Sequence, residues 1–407
     1  MNDQKTNKFL ELIKDEFQRL HQKKHNFILT ESPTKAGCYL DGQLYQQDEL
    51  QFKKRAPVNF VLKKDSSIPS KRVITANIVT YAEKTVGYYS TPRAGCPGAC
   101  QTLTKRAQGD LASQLRYNRD YIDMFPDPQE RGTVTAPRFA EYLQGFHQDW
   151  TDPSVTMPLV HRAIKAGVEK RLSAIDLFSG IGGLTLASDT FLKPIQYCEV
   201  CPDARSVLIA RMADGSIDSA PIHHDINTLD ASLIAADVVI GGFPCQDVST
   251  MGKRKGFGGE KSVLFFQAMR IAKECNAKVI ILENVKGIIN CGGGSVFNDM
   301  VTELDSNGYD FKFHIVEACH AGAAHRRSRF FLIALRRDLI ISTTILPAAC
   351  PQVDLRHDPF WDSPFPPVQE RMIMRMSKLA KARLKQLGNV VCPLQGRLAM
   401  RSLIPGL

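Results

Sequence analysis

"SAIDLFSGIGGLTLA", residues Ser173 to Ala187, runs from an apolar segment through three glycines into a helix-forming stretch. A buried strand that ends in glycine and turns straight into a helix is the opening unit of an α/β sheet. Gly180, Gly182 and Gly183 leave no side chain between the backbone and whatever lies over the start of that helix. A tight strand-to-helix turn accounts for the glycines equally well, so the residues that follow must decide.

From Leu172 onward, short apolar segments alternate with helical ones. "PIQYCEV", "SAPIHHDI", "ADVVIGGF", "AKVIILENV", "YDFKFHIVEA" and "SRFFLIAL" are the further strand candidates. This order predicts a Rossmann-like α/β fold, a mostly parallel sheet with helices on both faces, whose ligands bind at the carboxyl ends of the strands.

Those ends carry the chemistry. Glu199 follows the glycines at the distance where a carboxylate takes a pair of ribose hydroxyls, and Asp225 in "HHDI" is placed to accept from an adenine amino group. The series fits an adenosine-containing cofactor, although each acid alone is an ordinary surface residue. In "GGFPCQDVS", Pro244 cannot continue a ladder, so Cys245 is expected to emerge into the cleft rather than to fill the core. Glu283 in "LENVKG" ends a strongly apolar run. Burial there favours the neutral acid and suits proton donation. "HRRSRF" sets Arg327 and Arg329 on alternate positions, where both are expected to face one site.

In this order, "DLFSGIGGL", "GGFPCQDVS", "ENVKGI", "HRRSRFFLIA" and "RLKQLGNVV" resemble the motif series of the DNA cytosine-5 methyltransferases, over about residues 172 to 335 and 380 to 400. The resemblance implies methyl transfer from S-adenosylmethionine to a cytosine flipped out of double-stranded DNA, with Cys245 as nucleophile and Glu283 at ring nitrogen 3. It implies no metal. It places Arg327 at the base, with Arg329 supporting the pocket. Asp176, Phe178, Gly180, Gly182, Gly183 and Glu199 are implied as cofactor residues. So are Asp225, Ile226, Pro244, Leu264, Asn389 and Val390. His325 stands where the family has glutamine.

The order of segments departs from the family. Only about fifty residues separate Arg336 from Gly388, too few for the recognition domain that ordinarily lies there. "TAPRFAEYLQGFHQDWTD", residues 135 to 152, resembles the LQGFP-like segment that ordinarily follows it, with His147 in place of the proline. Upstream, "YYSTPRAGCPGACQTLTKRAQGDLASQLR" is similar to a stretch found near the recognition region of some members. The recognition elements are therefore expected on the N-terminal side. The resulting division is an N-terminal α+β or β-rich domain over 1–155, a linker over 156–171, the catalytic domain over 172–338, a variable segment over 339–380 and a cofactor-completing segment over 381–407.

Composition agrees with a folded chain: 43% of the 407 residues are hydrophobic and 23% charged. The net charge of +10 favours a polyanionic partner. The eleven cysteines are an odd number, so a full set of disulfides is excluded, and reduced thiols with a cytoplasmic location are expected. There is no run of about 18 apolar residues, so no membrane partner is expected. The pairs "CEVC" and "CPGAC" lack the second half of a zinc site, and Cys198 is expected in the core. In "RMIMRMSKLAKARLKQLGN" the Met and Leu positions read as core contacts, and the Lys and Arg as phosphate contacts.

Two further readings remain open. One is an RNA cytosine-5 methyltransferase of the same fold, whose CFT-containing segment is not visible. The other is a non-catalytic DNA-binding relative, which has no need for Cys245, Glu283 and Arg327 together. Monomeric action is expected, and the resemblance allows a cognate restriction endonuclease as a partner.

Overall fold

A computed structural model describes residues 7–24, 28–30, 35–46, 77–81, 84–90, 92, 111–116, 119–127, 129–158, 171–244, 263–340, 360 and 366–404. The N-terminal elements are α1 (Lys8–Lys23), β1 (Ile28–Leu29), β2 (Ala36–Leu40), β3 (Gln43–Gln46), β4 (Asn77–Tyr81) and β5 (Lys84–Tyr88). Next come α2 (Leu111–Arg116), α3 (Arg119–Met124), β6 (Val134–Thr135) and α4 (Pro137–Leu143). The central elements are β7 (Leu172–Leu177), α5 (Gly183–Ser188), β8 (Leu192–Cys198), α6 (Pro202–Ala213), β9 (Ile222–His223) and β10 (Val238–Gly242). They continue through α7 (Val263–Glu274), β11 (Val279–Val285), α8 (Ser295–Ser306), β12 (Tyr309–Val316) and β13 (Arg329–Arg336). The chain closes with β14 (Met372–Ile373), α9 (Lys378–Asn389) and α10 (Pro393–Leu403).

One ten-stranded sheet has the order β1-β3-β2-β12-β13-β11-β10-β7-β8-β9. From β9 to β11 every pairing is parallel, and from β11 to β1 every pairing is antiparallel. The sheet is thus parallel in the half that carries the glycine loop and antiparallel in the other. The central strands are apolar on both faces, as strands covered on both sides must be. Val238, Ile240, Val279 and Ile281 pack toward α1, α5 and α10. Val239, Ile280 and Leu282 pack toward α7 and α8. The result is a three-layer Rossmann-like α/β fold.

Within the span expected as an N-terminal domain, α1, β1, β2 and β3 join the central sheet and its core. β2 adds to β12 in register Phe311↔Tyr39, Lys312↔Cys38 and Phe313↔Gly37. Helix α1 begins with Asn7 capping the amides of Phe9 and Leu10, and it buries Phe9, Leu10, Ile13, Phe17 and Leu20 in the same cluster as Val279 and Ile333. A buried Lys312–Glu16 ion pair of 2.6 Å fastens α1 to β12. Without these elements β12 would be an open edge with an apolar flank. The segment "APVNFVLKK" lies outside the described residues, and "KRVITANIVTYA" contributes β4 to a separate hairpin with β5.

Candidate active site

The carboxyl ends of β7 and β8 meet in one hydrogen-bonded unit. The Glu199 carboxylate accepts from the amide of Gly180 at 2.7 Å and from that of Cys201 at 2.7 Å. Phe178 turns the chain there with φ +54°, a left-handed conformation that costs energy in a non-glycine residue. Asp176 lies buried beneath the loop and accepts from the Thr185 hydroxyl. Burial pushes its carboxyl up to about 7, and its Oδ1 has no hydrogen-bond partner among the described residues. Gly183 begins α5 under the C-terminal segment. A Cβ at that position would lie 2.5 Å from the Val391 carbonyl oxygen and 2.7 Å from Val390, so only glycine lets the two segments meet.

Beyond β9, both Asn227 nitrogens donate to Oδ1 of Asp225 at 2.9 Å, and Oδ2 has no partner among the described residues. Ile226 is buried beside it in the core, and half-buried Leu264 packs against the same cluster. An acid with one open oxygen beside an apolar floor, next to a glycine loop held by a second acid, fits the adenosine part of S-adenosylmethionine. Asn389 is exposed and Val390 buried.

The reacting end of the site is built by β10, β11 and β13. Parallel pairing sets Gly242 beside Glu283, and Asn284 ties the strand ends by donating to the Phe243 carbonyl at 3.0 Å. A Cβ on residue 242 would lie 2.8 Å from Oε2 of Glu283, so a larger residue there would push against the carboxylate. Pro244 is the last described residue of this strand end, and Cys245 lies outside the described residues. Glu283 is buried, which raises its pKa, while Arg329 and then Arg327 oppose the rise. Arg329 meets it at 3.0 Å.

The charges of Arg329 and Arg327 both act on Glu283, while the two side chains take different hydrogen-bond partners. Arg327 stands before β13 with φ +38°, and its guanidinium donates to the carbonyls of Gly388 at 3.1 Å and Val390 at 2.5 Å. Burial brings its pKa down to about 9.

The segment over 134–152 packs against the same residues. His325 donates from Nε2 to the Leu143 carbonyl at 2.7 Å, and burial depresses its pKa to about 3. Gln144 donates to the Leu387 carbonyl at 2.9 Å, and the Trp150 indole donates to the carbonyl of Ile181 in the glycine loop at 2.9 Å. Glu141, fully buried, accepts from the amides of Asp149 and Thr151 and from Arg383 of α9 at 3.0 Å. Arg383 also reaches Asp149 and Asp152. Arg383, expected among the phosphate contacts, is instead buried against Glu141, and Glu141 carried no signal in the sequence, where it looks like an ordinary polar position of an amphipathic helix. Several buried atoms here lack a partner among the described residues, among them His325 Nδ1, Arg327 Nε, Gln144 Oε1 and Gln386 Oε1. Such a concentration marks a place built to take further polar partners.

Cys198 lies in the core, where burial pushes its thiol up to about 12, unlike a metal-binding thiolate. "CPGAC" is outside the described residues. No helix among the described residues is long and apolar enough to cross a membrane.

Comparison with known proteins agrees with this layout. Over 183 residues the chain is 33% identical to the Type II methyltransferase M.BsuFI of Bacillus subtilis, a match covering 44% of this chain and 43% of that one. It is 30% identical over 177 residues to M.HhaI of Haemophilus parahaemolyticus, covering 43% of this chain and 53% of the relative. These matches span about half the length of the relatives or less. Among solved structures, the Dnmt2 methyltransferase of S. pombe is similar at 21% identity with a TM-score of 0.33, over 43% of this chain and 52% of that one. The profile of the C-5 cytosine-specific DNA methylases matches residues 172–387, more than half of the sequence, and the chain belongs to that family.

Proposed function

We propose that this protein transfers a methyl group from S-adenosylmethionine to carbon 5 of a cytosine flipped out of duplex DNA. The observation that carries the reading is the buried Glu283–Arg329 pair set directly beside the end of β10, the strand that leads to Cys245. In the first step the Cys245 thiolate adds to carbon 6 of the cytosine. A sulfur–carbon bond forms, the ring electron pair moves toward nitrogen 3, and the Glu283 carboxyl gives its proton to that nitrogen. Burial raises the Glu283 pKa, which keeps that proton available. Arg329 orients the carboxyl, and the charge of Arg327 limits how far its pKa rises.

S-adenosylmethionine, when bound, supplies an electrophilic methyl to the activated carbon 5. Glu199 and the open oxygen of Asp225 hold its ribose and adenine, and the loop at Gly180 and Gly182 admits the rest. The carbon 5 proton then leaves to a solvent base, the carbon–sulfur bond breaks, Cys245 departs as thiolate and Glu283 recovers its proton.

Recognition of the DNA sequence is assigned to residues 47–133, between β3 and β6, because the segment that follows them packs on the glycine loop and the arginine segment. Transfer of labelled methyl groups to unmethylated duplex DNA, followed by nucleoside mass spectrometry, tests the activity. Label in 5-methylcytosine is expected, and label confined to RNA would overturn the DNA reading. Exchanging residues 47–133 for those of a differently targeted relative should move the methylated sites. Unmoved sites would overturn the assignment of recognition.

A further inference from the structure

The six residues Met374 to Leu379 are all exposed. β14 pairs with β6 over two residues only, and the chain then leaves that ribbon to start α9 at Ser377, which caps the Ala380 amide. Met374 is 50% exposed, Met376 37% and Leu379 48%, against the expectation that the methionines and leucines of this stretch are core. The core contacts come instead from Met372, Leu384 and Leu387. The exposed loop is fixed in place, since the Thr133 hydroxyl donates to the Met374 carbonyl at 2.6 Å.

Behind this loop, Lys378, Lys381 and Lys385 are exposed on α9, and none has an ion-pair partner among the described residues. Their spacing puts them on one stripe of the helix, away from buried Ala380, Leu384 and Leu387. The acids near α9, Glu141, Asp149 and Asp152, are engaged by Arg383 on its inner face. From Arg371 to Asn389 the sequence holds no Asp or Glu. Among the described residues the stripe therefore presents uncompensated positive charge, and the last turn of α9 contains Gly388, whose carbonyl takes Arg327.

We propose that residues 374–385 are a docking face for duplex DNA. Lys378, Lys381 and Lys385 follow the phosphates of one strand toward the site, and Met374 and Met376 meet the groove at the outer end. The inference rests on the DNA-methylating reading above. Charge complementarity selects the partner. The three lysines span about 10 Å along the helix axis, a length over which one DNA strand offers about three phosphates. Exposed methionines at the end of such a rail match the apolar side chains that other proteins press against base steps.

The test is binding of the full chain to an unmethylated duplex, with S-adenosylhomocysteine present, between 50 and 200 mM salt. Each phosphate contact contributes about 0.9 to the slope of log affinity against log salt. The variant K378Q/K381Q/K385Q should therefore have a slope shallower by about 2.7. Across this fourfold salt range the native chain should lose about 40-fold more affinity than the variant. A control, K23Q/K193Q/K273Q, removes exposed charges elsewhere and should change the slope by less than about 1. The variant M374S/M376S should weaken binding roughly tenfold at every salt concentration, with the slope unchanged.

Equal slopes for the two lysine triples would overturn the rail, as would a slope change seen only with RNA. Undiminished affinity in the methionine variant would overturn the groove contact. Methylated DNA with unchanged slopes counts against this face alone, whereas absence of both DNA binding and 5-methylcytosine counts against the enzymatic reading. Retained S-adenosylhomocysteine binding shows that each variant is folded.

Discussion

The glycine-loop end of the site and the junction around α4, α9 and Arg327 do comparable work by opposite means. The first is local. Gly180, Glu199 and Cys201 satisfy one another within about twenty residues of chain. The second is assembled from segments far apart in sequence: Glu141 meets Arg383, and His325 meets Leu143. It buries charges and leaves polar atoms without partners among the described residues. The difference teaches that local strand-end chemistry sets the hydrogen bonds of the first region, to which Trp150 and the Val390–Val391 segment add long-range contacts. The second depends on residues 134–152 packing against side chains and carbonyls that lie about 180 to 240 residues later in the chain.

The sharpest break in that comparison is chemical. Glu283→Gln keeps the shape of the side chain and removes the proton, so methyl transfer per bound duplex should fall by about 10²–10⁴-fold. Cofactor binding at the glycine-loop end should be retained. Single-turnover kinetics measure the first quantity and calorimetric titration with S-adenosylhomocysteine the second. Loss of both together would mean that the two ends are not separable.

A smaller effect tests the junction. Arg383→Met leaves Glu141 buried without its counter-ion, a change that costs about 3–5 kcal/mol. Urea unfolding should show it, and Glu141→Gln in the same chain should recover part of the loss. The Glu141 carboxyl already sits above its ordinary pKa range because of burial. Without Arg383 it should rise further, so the variant should be least stable at alkaline pH.

At the glycine-loop end, Gly183→Ala drives a methyl into the Val391 carbonyl. Overpacking against backbone costs about 1–3 kcal/mol. The same displacement should lower affinity for S-adenosylhomocysteine, because the loop and the C-terminal segment must part. An unchanged melting temperature would show that α5 and α10 slide apart freely.

The smallest effect depends on pH. His325 holds its folded pKa near 3, well below its ordinary value of 6.5, through burial first and the charge of Arg327 second. The unfolded chain takes up that proton between pH 6.5 and 3 and the folded chain does not. The contribution is therefore fully present above pH 6.5 and is lost as pH falls toward 3. His325→Gln should match the native chain at pH 8 and exceed it in melting temperature at pH 5. Equal curves at both values would remove His325 from the junction.

How far the sequence could be read divides along the same line. Strand ends carrying glycine, Glu199, Asp225 and Glu283 are legible because each motif is short and its chemistry is local. The pairing of β2 with β12 joins residues about 270 apart, and no periodicity in a single stretch reports such a partner. The Met and Leu positions of "RMIMRMSKLAKARLKQLGN" read as core contacts, yet Met374 and Met376 are exposed because the ribbon of β14 ends after Ile373 and α9 starts only at Lys378. Arg327 and Arg329 are two residues apart in sequence, yet Arg327 donates to the carbonyls of Gly388 and Val390 whereas Arg329 pairs with Glu283.

The central claim is addition of Cys245 to a cytosine beside Glu283, and a duplex carrying 5-fluorocytosine at the target position tests it most directly. The fluorine cannot leave as a proton does, so after methyl transfer the Cys245–carbon 6 bond cannot be released. A denaturant-stable protein–DNA adduct should form with S-adenosylmethionine, map by peptide mass to Cys245 and vanish in Cys245→Ala. An adduct that survives in Cys245→Ala, or methylated DNA with no adduct at all, would contradict the account.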